Sequence, residues 1–321
     1  MRVETEPLVI SASRRTDIPN HYARWFVQRI QEGCALVRNI RDYHQVRRVS
    51  LAPSQVACIV FWTKNPAPMI PLLSKLSAFP SLFHYTITPY GTDLEPRIPS
   101  VGESIDRFRN LSDILGNERV IWRYDPVLIS KMYPLGYHLE IFAYIAEKLE
   151  GYTRRCMFSF PDRYRHLESR FAELGIREPD AAERQILATN FSRQAEAHGI
   201  TLFTCAEPDD FSASGISHGA CVDASLIEHI SGFAIGERRE KSRRPCCRCA
   251  SSVDIGMYDT CLNLCTYCYA NHSEQRVHAS YAQARNESPL ITGCLEPKDV
   301  VSGLRQTDAP PQLSLFSDQV P

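Results

Sequence analysis

The side chains with the most chemistry in this chain are its thiols. Cys261-Leu-Asn-Leu-Cys265-Thr-Tyr-Cys268 is a C-x3-C-x2-C triplet. Three thiolates on one short loop can ligate three irons of a 4Fe–4S cluster and leave the fourth iron without a protein ligand. An open iron can take an exogenous ligand, much as a catalytic zinc keeps an open position. Cys205, Cys221, Cys247 and Cys249 raise a second question. Four thiolates would complete an auxiliary Fe–S cluster or a zinc site, with Cys246 able to replace Cys247. The plainer reading leaves Cys205 and Cys221 as small buried hydrophobes. A structural zinc ribbon is a rival for both sets. Cys247-x-Cys249 with Cys265-x2-Cys268 would supply four thiolates and leave Cys261 spare.

Composition bounds these readings. The chain has 321 residues and 12 cysteines, eight of them between 205 and 268. Apolar runs such as Val56–Trp62 are far too short for a membrane helix, and the N-terminus lacks a signal-like pattern. A cytoplasmic protein with no membrane partner is expected. In that compartment clustered cysteines mean metal rather than disulfides. With 36 basic and 37 acidic side chains the net charge is −1, which argues against a dedicated electrostatic nucleic-acid binder. At 44% hydrophobic and 23% charged, the chain is globular. Cys34, Cys58 and Cys156 lie in or beside apolar strands and are assigned to the core, and Cys294 to no role. The ten histidines show no paired ligand spacing.

The elements that must carry these residues alternate. Strands are expected at Leu8–Ser13, Ala35–Arg38, Cys58–Thr63, Phe83–Thr88, Val120–Tyr124, Arg155–Phe160 and Thr201–Cys205. They are short β-branched or aromatic runs bounded by turn residues. Helices are expected at Tyr22–Gln31, Ala67–Leu76, Gly102–Leu115, Leu135–Leu149 and Asp180–His198, the last stopped by Gly199. Repeated strand–helix units predict an α/β fold, a full or partial (β/α) barrel of TIM-like type. Residues 1–232 form this barrel, 233–285 a linker and Cys-rich segment that completes it, and 286–321 a C-terminal tail. Glu237–Arg244 reads as a solvated linker, and the last fifteen residues read as mobile.

Several blocks carry a family resemblance. Ile10-Ser-Ala-Ser-Arg-Arg-Thr-Asp-Ile-Pro19, Phe61-Trp-Thr-Lys-Asn-Pro66, Trp122-Arg-Tyr-Asp-Pro126, Asp254-Ile-Gly256 and Cys261…Cys268-Tyr-Ala270 resemble the family called domain of unknown function 1848. A more distant likeness is to spore photoproduct lyase and its DNA-repair-photolyase-like relatives. It rests on Thr63-Lys64, Thr86-Ile-Thr-Pro89, Leu94-Glu-Pro-Arg-Ile-Pro-Ser100 and the pair Arg107, Leu111. Those are radical S-adenosylmethionine (SAM) enzymes on a partial (β/α)6 barrel. Tyr267, an aromatic directly before the third cysteine, also fits their motif. In them the Cys loop follows the first strand, whereas here it comes last. A circular permutation would reconcile the order, with Ser252–Gly256 as the displaced first strand and Asn271–Ala284 as its helix.

The resemblance implies a 4Fe–4S cluster on Cys261, Cys265 and Cys268, with SAM chelating the open iron and Tyr267 beside the adenine. A flavodoxin- or ferredoxin-type donor would supply the electron, and the product would be a 5′-deoxyadenosyl radical. The substrate class it suggests is nucleic-acid related. The polar run Ser13, Arg14, Arg15, Thr16 and Asp17 could hold the SAM carboxylate and ribose. The alternative has Thr16 or Asp17 capping the next helix, with the arginines solvated. Lys64 and, more weakly, Thr86 and Thr88 are candidate contacts to SAM or substrate. Arg123 is a further candidate, or else one half of a local ion pair with Asp125; Tyr124 is a marginal hydrogen-atom relay. The rivals from other classes are a zinc-binding module and a non-catalytic Fe–S protein for electron transfer or sensing.

Overall fold

The computed structural model describes residues 7–162, 164–236 and 246–303. Its strands are β1 (Leu8–Ala12), β2 (Cys34–Arg38), β3 (Gln45–Ser50), β4 (Val56–Thr63), β5 (Ser81–Thr86), β6 (Val120–Tyr124), β7 (Arg155–Phe158), β8 (Thr201–Cys205), β9 (Ser217–Gly219), β10 (Val253–Asp254) and β11 (Val300–Ser302). The helices are α1 (Ile18–His21), α2 (Ala23–Glu32), α3 (Val101–Leu115), α4 (Leu135–Lys148), α5 (Glu168–Glu173), α6 (Ala181–Ala197), α7 (Ala224–Ser231) and α8 (Glu274–Ala282).

Eight strands form one parallel sheet in the order β10-β1-β4-β5-β6-β7-β8-β9. From β1 to β9 the spatial order follows the chain, so the sheet is wound in one direction. It is not a closed barrel. β10 and β9 are its edges, and at two and three residues they carry only short ladders. The expected α/β class with a wound parallel sheet holds, and the full-barrel alternative is corrected: the sheet stays open. The strand expected near 252–256 does pair in parallel with β1, through Ile10–Val253 and Ser11–Asp254.

Two further expectations change. The strand at Ala35–Arg38 exists, but β2 pairs antiparallel with β3 in a separate three-stranded sheet. In that sheet β11, from the expected tail, runs parallel to β3. The helix at Ala67–Leu76 is a 3-10 segment at Ile70–Leu76. Pro66, Pro68 and Pro71 remove the N–H donors an α-helix would need there. Elsewhere the local signals hold. Capping boxes Ser100–Glu103 and Asp180–Glu183 start α3 and α6. The linker at 237–244 and the last fifteen residues lie outside the described residues.

Side chains alternate across the sheet with period two. One face buries Ile10, Ile59, Phe61, Phe83, Tyr85, Trp122 and Phe158 against Phe26, Phe108, Phe142 and Phe191 of the helices. The other carries Val9, Cys58, Val60, Leu82, Ile121, Met157 and Cys205, covered by Leu226 and Ile227 of α7 together with Cys221 and Cys249. Strands buried on both faces read as continuous apolar runs, and β4 (VACIVFWT) is the plainest case. Parallel strands send all their C-terminal ends to one side, and the loops there meet.

Candidate functional site

Those loops enclose a cavity of about 910 Å³. Ser13, Arg14, Arg15, Thr16 and Asp17 after β1, Lys64 after β4, Arg123 and Asp125 at the end of β6, and Cys205 and Ala206 at the end of β8 line it. Cys261, Cys265, Tyr267 and Cys268 line it as well. A ligand position beyond the carboxyl ends of parallel strands is where such sheets bind.

The Cys loop is held by residues far away in the chain. Tyr22 donates to the Thr260 carbonyl at 2.7 Å. The Thr266 N–H donates to the Leu94 carbonyl at 2.9 Å, and Arg170 donates to that of Thr266 at 2.9 Å. Tyr267 donates to Glu95, and Tyr269 donates to the Arg14 carbonyl at 2.6 Å. Within the loop, Asn271 donates to the Cys261 carbonyl at 2.8 Å. Burial raises the pKa of all three thiols. Asp17 adds to the rise at Cys261 and Glu95 at Cys265, while Lys64 pulls Cys265 and Cys268 down. With nothing bound, the loop keeps its thiols protonated; a metal would have to displace those protons.

The strand-end residues are already engaged with one another. Asp254 on β10 accepts from Ser11 (2.8 Å), Ser13 (2.6 Å) and the N–H groups of Arg14 and Gly256 (both 2.9 Å). Arg14 lies over the Trp62 ring and donates to Ser252 at 3.3 Å. Arg15 lies over Tyr258 and donates to the Gly256 carbonyl at 3.3 Å. Asp17 caps α1 through the Asn20 N–H at 3.0 Å and accepts from the Lys64 N–H at 2.8 Å. The capping alternative thus holds for Asp17, whose side chain also reaches the Cys loop. Thr16 instead has its buried Oγ1 without a hydrogen-bond partner.

Lys64 extends its ammonium to Thr88 at 2.9 Å and Glu95 at 2.8 Å. Thr88 is buried behind that pair and is not among the cavity-lining residues, whereas Thr86 is. Arg123 pairs with Asp125 and also donates to Cys221 Sγ at 2.9 Å. Tyr124 is fully buried and bonded to His138, consistent with packing. Cys205, Cys221, Cys247 and Cys249 all line the cavity, whereas Cys246 does not. Cys249 shares thiol hydrogen bonds with Cys221 and Cys247, and Cys221 meets Cys205, so Cys247 and Cys249 are brought to the ends of β8 and β9. Cys58 and Cys156 are buried core thiols, Cys34 is half-buried and Cys294 exposed.

Three residues that organise the site were not singled out from the sequence: Glu95, Asn263 and Asp254. Each sits inside a block that was legible, respectively Leu94-Glu-Pro, the C-x3-C interval and Asp254-Ile-Gly256. A carboxylate or amide in such a block looks the same whether it faces solvent or a buried donor.

An open α/β protein with a thiol-lined cavity at its strand ends is the class that fold and site define. By sequence the chain belongs to the family described as Domain of unknown function (DUF1848), whose model matches residues 9–270. No curated protein and no solved structure matches it. Among the described residues no helix is long and apolar enough to cross a membrane.

Proposed function

We propose that this protein is a radical SAM enzyme, with Cys261, Cys265 and Cys268 as the ligands of a 4Fe–4S cluster. One observation carries the reading: three thiols of one short loop lie on the wall of a cavity at the strand ends, beside a polar run that is hydrogen-bonded to that loop. Among the described residues no three His, Cys, Asp or Glu side chains close around a single point. A cubane does not require them to, because each thiolate meets its own iron. The donor set suits three corners and leaves the fourth for another ligand. With SAM on that iron, such a cluster supplies one-electron cleavage of a sulfonium carbon–sulfur bond, yielding methionine and a 5′-deoxyadenosyl radical.

The chain's own residues position and enclose. Asp17, Lys64 and Glu95 hold the loop and its neighbours in place. Arg14 and Arg15 line the same cavity, and their guanidinium groups suit a carboxylate such as that of SAM. Arg41, Trp62, Tyr164, Tyr258 and Tyr269 complete walls that suit a planar, anionic substrate, and a nucleic-acid-related one is the class we carry forward. The electron would come from a flavodoxin- or ferredoxin-type donor.

The test is anaerobic reconstitution of the full chain with iron and sulfide, followed by EPR of the reduced protein with and without SAM. A cluster signal that SAM alters supports an open iron. A cluster indifferent to SAM would leave an electron-transfer or sensing protein. Stoichiometric zinc with no cluster would leave the zinc-binding module.

A further inference from the structure

Seven thiols line the cavity, and only three belong to the loop of Cys261, Cys265 and Cys268. The other four come from three separate segments. Cys205 ends β8, Cys221 follows β9, and Cys247 and Cys249 precede β10. They form a row. Cys205 and Cys221 have their Sγ atoms 3.1 Å apart, and Cys249 links Cys221 to Cys247 through thiol hydrogen bonds. The backbone pins the row. The Val222 N–H points at Cys249 Sγ at 3.5 Å, and the Ala250 N–H donates to the Val222 carbonyl at 2.9 Å.

A buried thiol is most often a small hydrophobe, and Cys205, Cys221 and Cys249 do sit within an apolar cluster. Two features depart from that. Four thiols touch in succession across segments that the fold had to bring together. Arg123, a buried residue only 5% exposed, donates to Cys221 Sγ at 2.9 Å besides pairing with Asp125. Arginine is always charged, and its buried N–H groups seek anions. A neutral thiol is a poor partner for it, and a metal-bound thiolate is a good one.

We propose that Cys205, Cys221, Cys247 and Cys249 form a second metal site, holding a thiophilic centre through four thiolates, with Arg123 offsetting part of the negative charge. The proposal does not rest on the SAM reading. On loading with zinc, four S–H bonds break, four sulfur–zinc bonds form, four protons leave to solvent and no electron moves. A preassembled iron–sulfur cluster, arriving with its own sulfide, would exchange its donor's ligands for the same four thiolates with the same loss of protons. As they stand the four thiols form a row and not a closed site, so loading has to draw them into a ring. Cys205, Cys221 and Cys249 are buried and Cys247 is half-buried, which leaves Cys247 the most room to turn. With every position filled by protein, the centre has no place for an exogenous ligand. Its roles are then to cross-link β8, β9 and the segment before β10, or to pass electrons. The shared chemistry is four-thiolate ligation, and the centre is either mononuclear zinc or an iron–sulfur cluster.

The experiment uses the full chain carrying Cys261→Ala, Cys265→Ala and Cys268→Ala, which removes the first site. One portion is reconstituted anaerobically with iron and sulfide, and another is loaded with zinc alone. The expected result is retained metal, either about four irons with sulfide or about one zinc. Iron with sulfide identifies a cluster, and zinc identifies the mononuclear site. Adding Cys247→Ala and Cys249→Ala should abolish either. Because those variants could lose their fold, cobalt(II) loaded into the triple variant gives an independent reading. Its thiolate charge-transfer absorption should drop by one ligand in four on Cys247→Ser alone. A triple variant that binds no metal would overturn the proposal, as would one that binds equally well without Cys247 and Cys249. Loss of SAM chemistry in the wild type would leave it standing.

Discussion

Asn263 donates its side-chain amide to Oδ2 of Asp17 at 2.9 Å, joining positions 246 residues apart. Its own oxygen accepts from Asn20 and faces His21 Nε2, both at 2.8 Å. The amide thus ties the interior of the Cys loop to the turn after β1. Asn263→Ala strips these bonds in a buried setting and should cost roughly 1–3 kcal/mol. Asn263→Asp should be worse, because it sets a carboxylate against Asp17. Thermal unfolding and iron bound per chain after reconstitution check both. An Asn263→Asp protein that melts like the wild type and loads a full cluster would refute this anchoring role.

Cys265→Ala should lose the cluster and SAM cleavage while keeping the fold, since it exchanges one small buried side chain for another. Anaerobic assay of 5′-deoxyadenosine, beside iron content and circular dichroism, reads this directly. Cleavage that survives in the variant would sink the radical SAM reading.

The Lys64–Glu95 pair is nearly dry, with side chains 12% and 2% exposed. Removing one member leaves the other buried and uncompensated, so Lys64→Met should cost roughly 3–5 kcal/mol. Lys64→Met with Glu95→Gln removes both charges and should recover part of that loss. Urea unfolding of the single and double variants is the check. Equal stability of the two would mean that the pair is not coupled.

His138 is fully buried. Its Nε2 lies 2.8 Å from the Leu128 carbonyl, which can only accept, so Nε2 carries the proton and Nδ1 accepts from Tyr124 at 2.9 Å. Burial pushes its pKa down to about 4 from an ordinary 6.5. Below pH 6.5 the unfolded chain therefore binds a proton that the folded one refuses. Stability is full above that pH and falls as the pH drops towards 4, by roughly 3 kcal/mol from this group. Unfolding midpoints at pH 7.5 and 5, compared with those of His138→Gln, should show a shallower slope in the variant. Identical slopes would argue against this origin.

Gly256 lies where β10 meets β1. A Cβ there would sit 2.6 Å from Ser13 Cβ and closer still to its Oγ. Neither atom is the far end of a flexible chain, so Gly256→Ala should destabilise the junction by roughly 1–3 kcal/mol. Ser13→Gly in the same chain should relieve part of it. A neutral Gly256→Ala in thermal unfolding would show that β10 can move away.

Much of the fold was legible because its signals are local. Apolar runs bounded by turn residues marked β1, β4, β5, β6, β7 and β8. Helical spacing marked α4, and Gly199 marked the end of α6. The misreadings came where partners decide. Ala35–Arg38 reads as a strand in isolation, and nothing within it says that its neighbour is the antiparallel β3. Barrel closure likewise depends on whether two short edge strands meet, which no local pattern records.

The sequence by itself determined which groups could do chemistry: seven clustered thiols, a polar run after a strand, and a lysine and an arginine at strand ends. Side-chain type and spacing carry that information without a fold. Only the tertiary structure decided which of these groups spend their bonding capacity on each other. Asp17 closes on the Cys loop, Asp254 collects four donors, Lys64 meets Glu95, and Arg123 turns towards Cys221. A hydrogen bond needs two groups within about 3 Å in the right direction. Between residues more than two hundred positions apart, only the winding of the sheet brings them there.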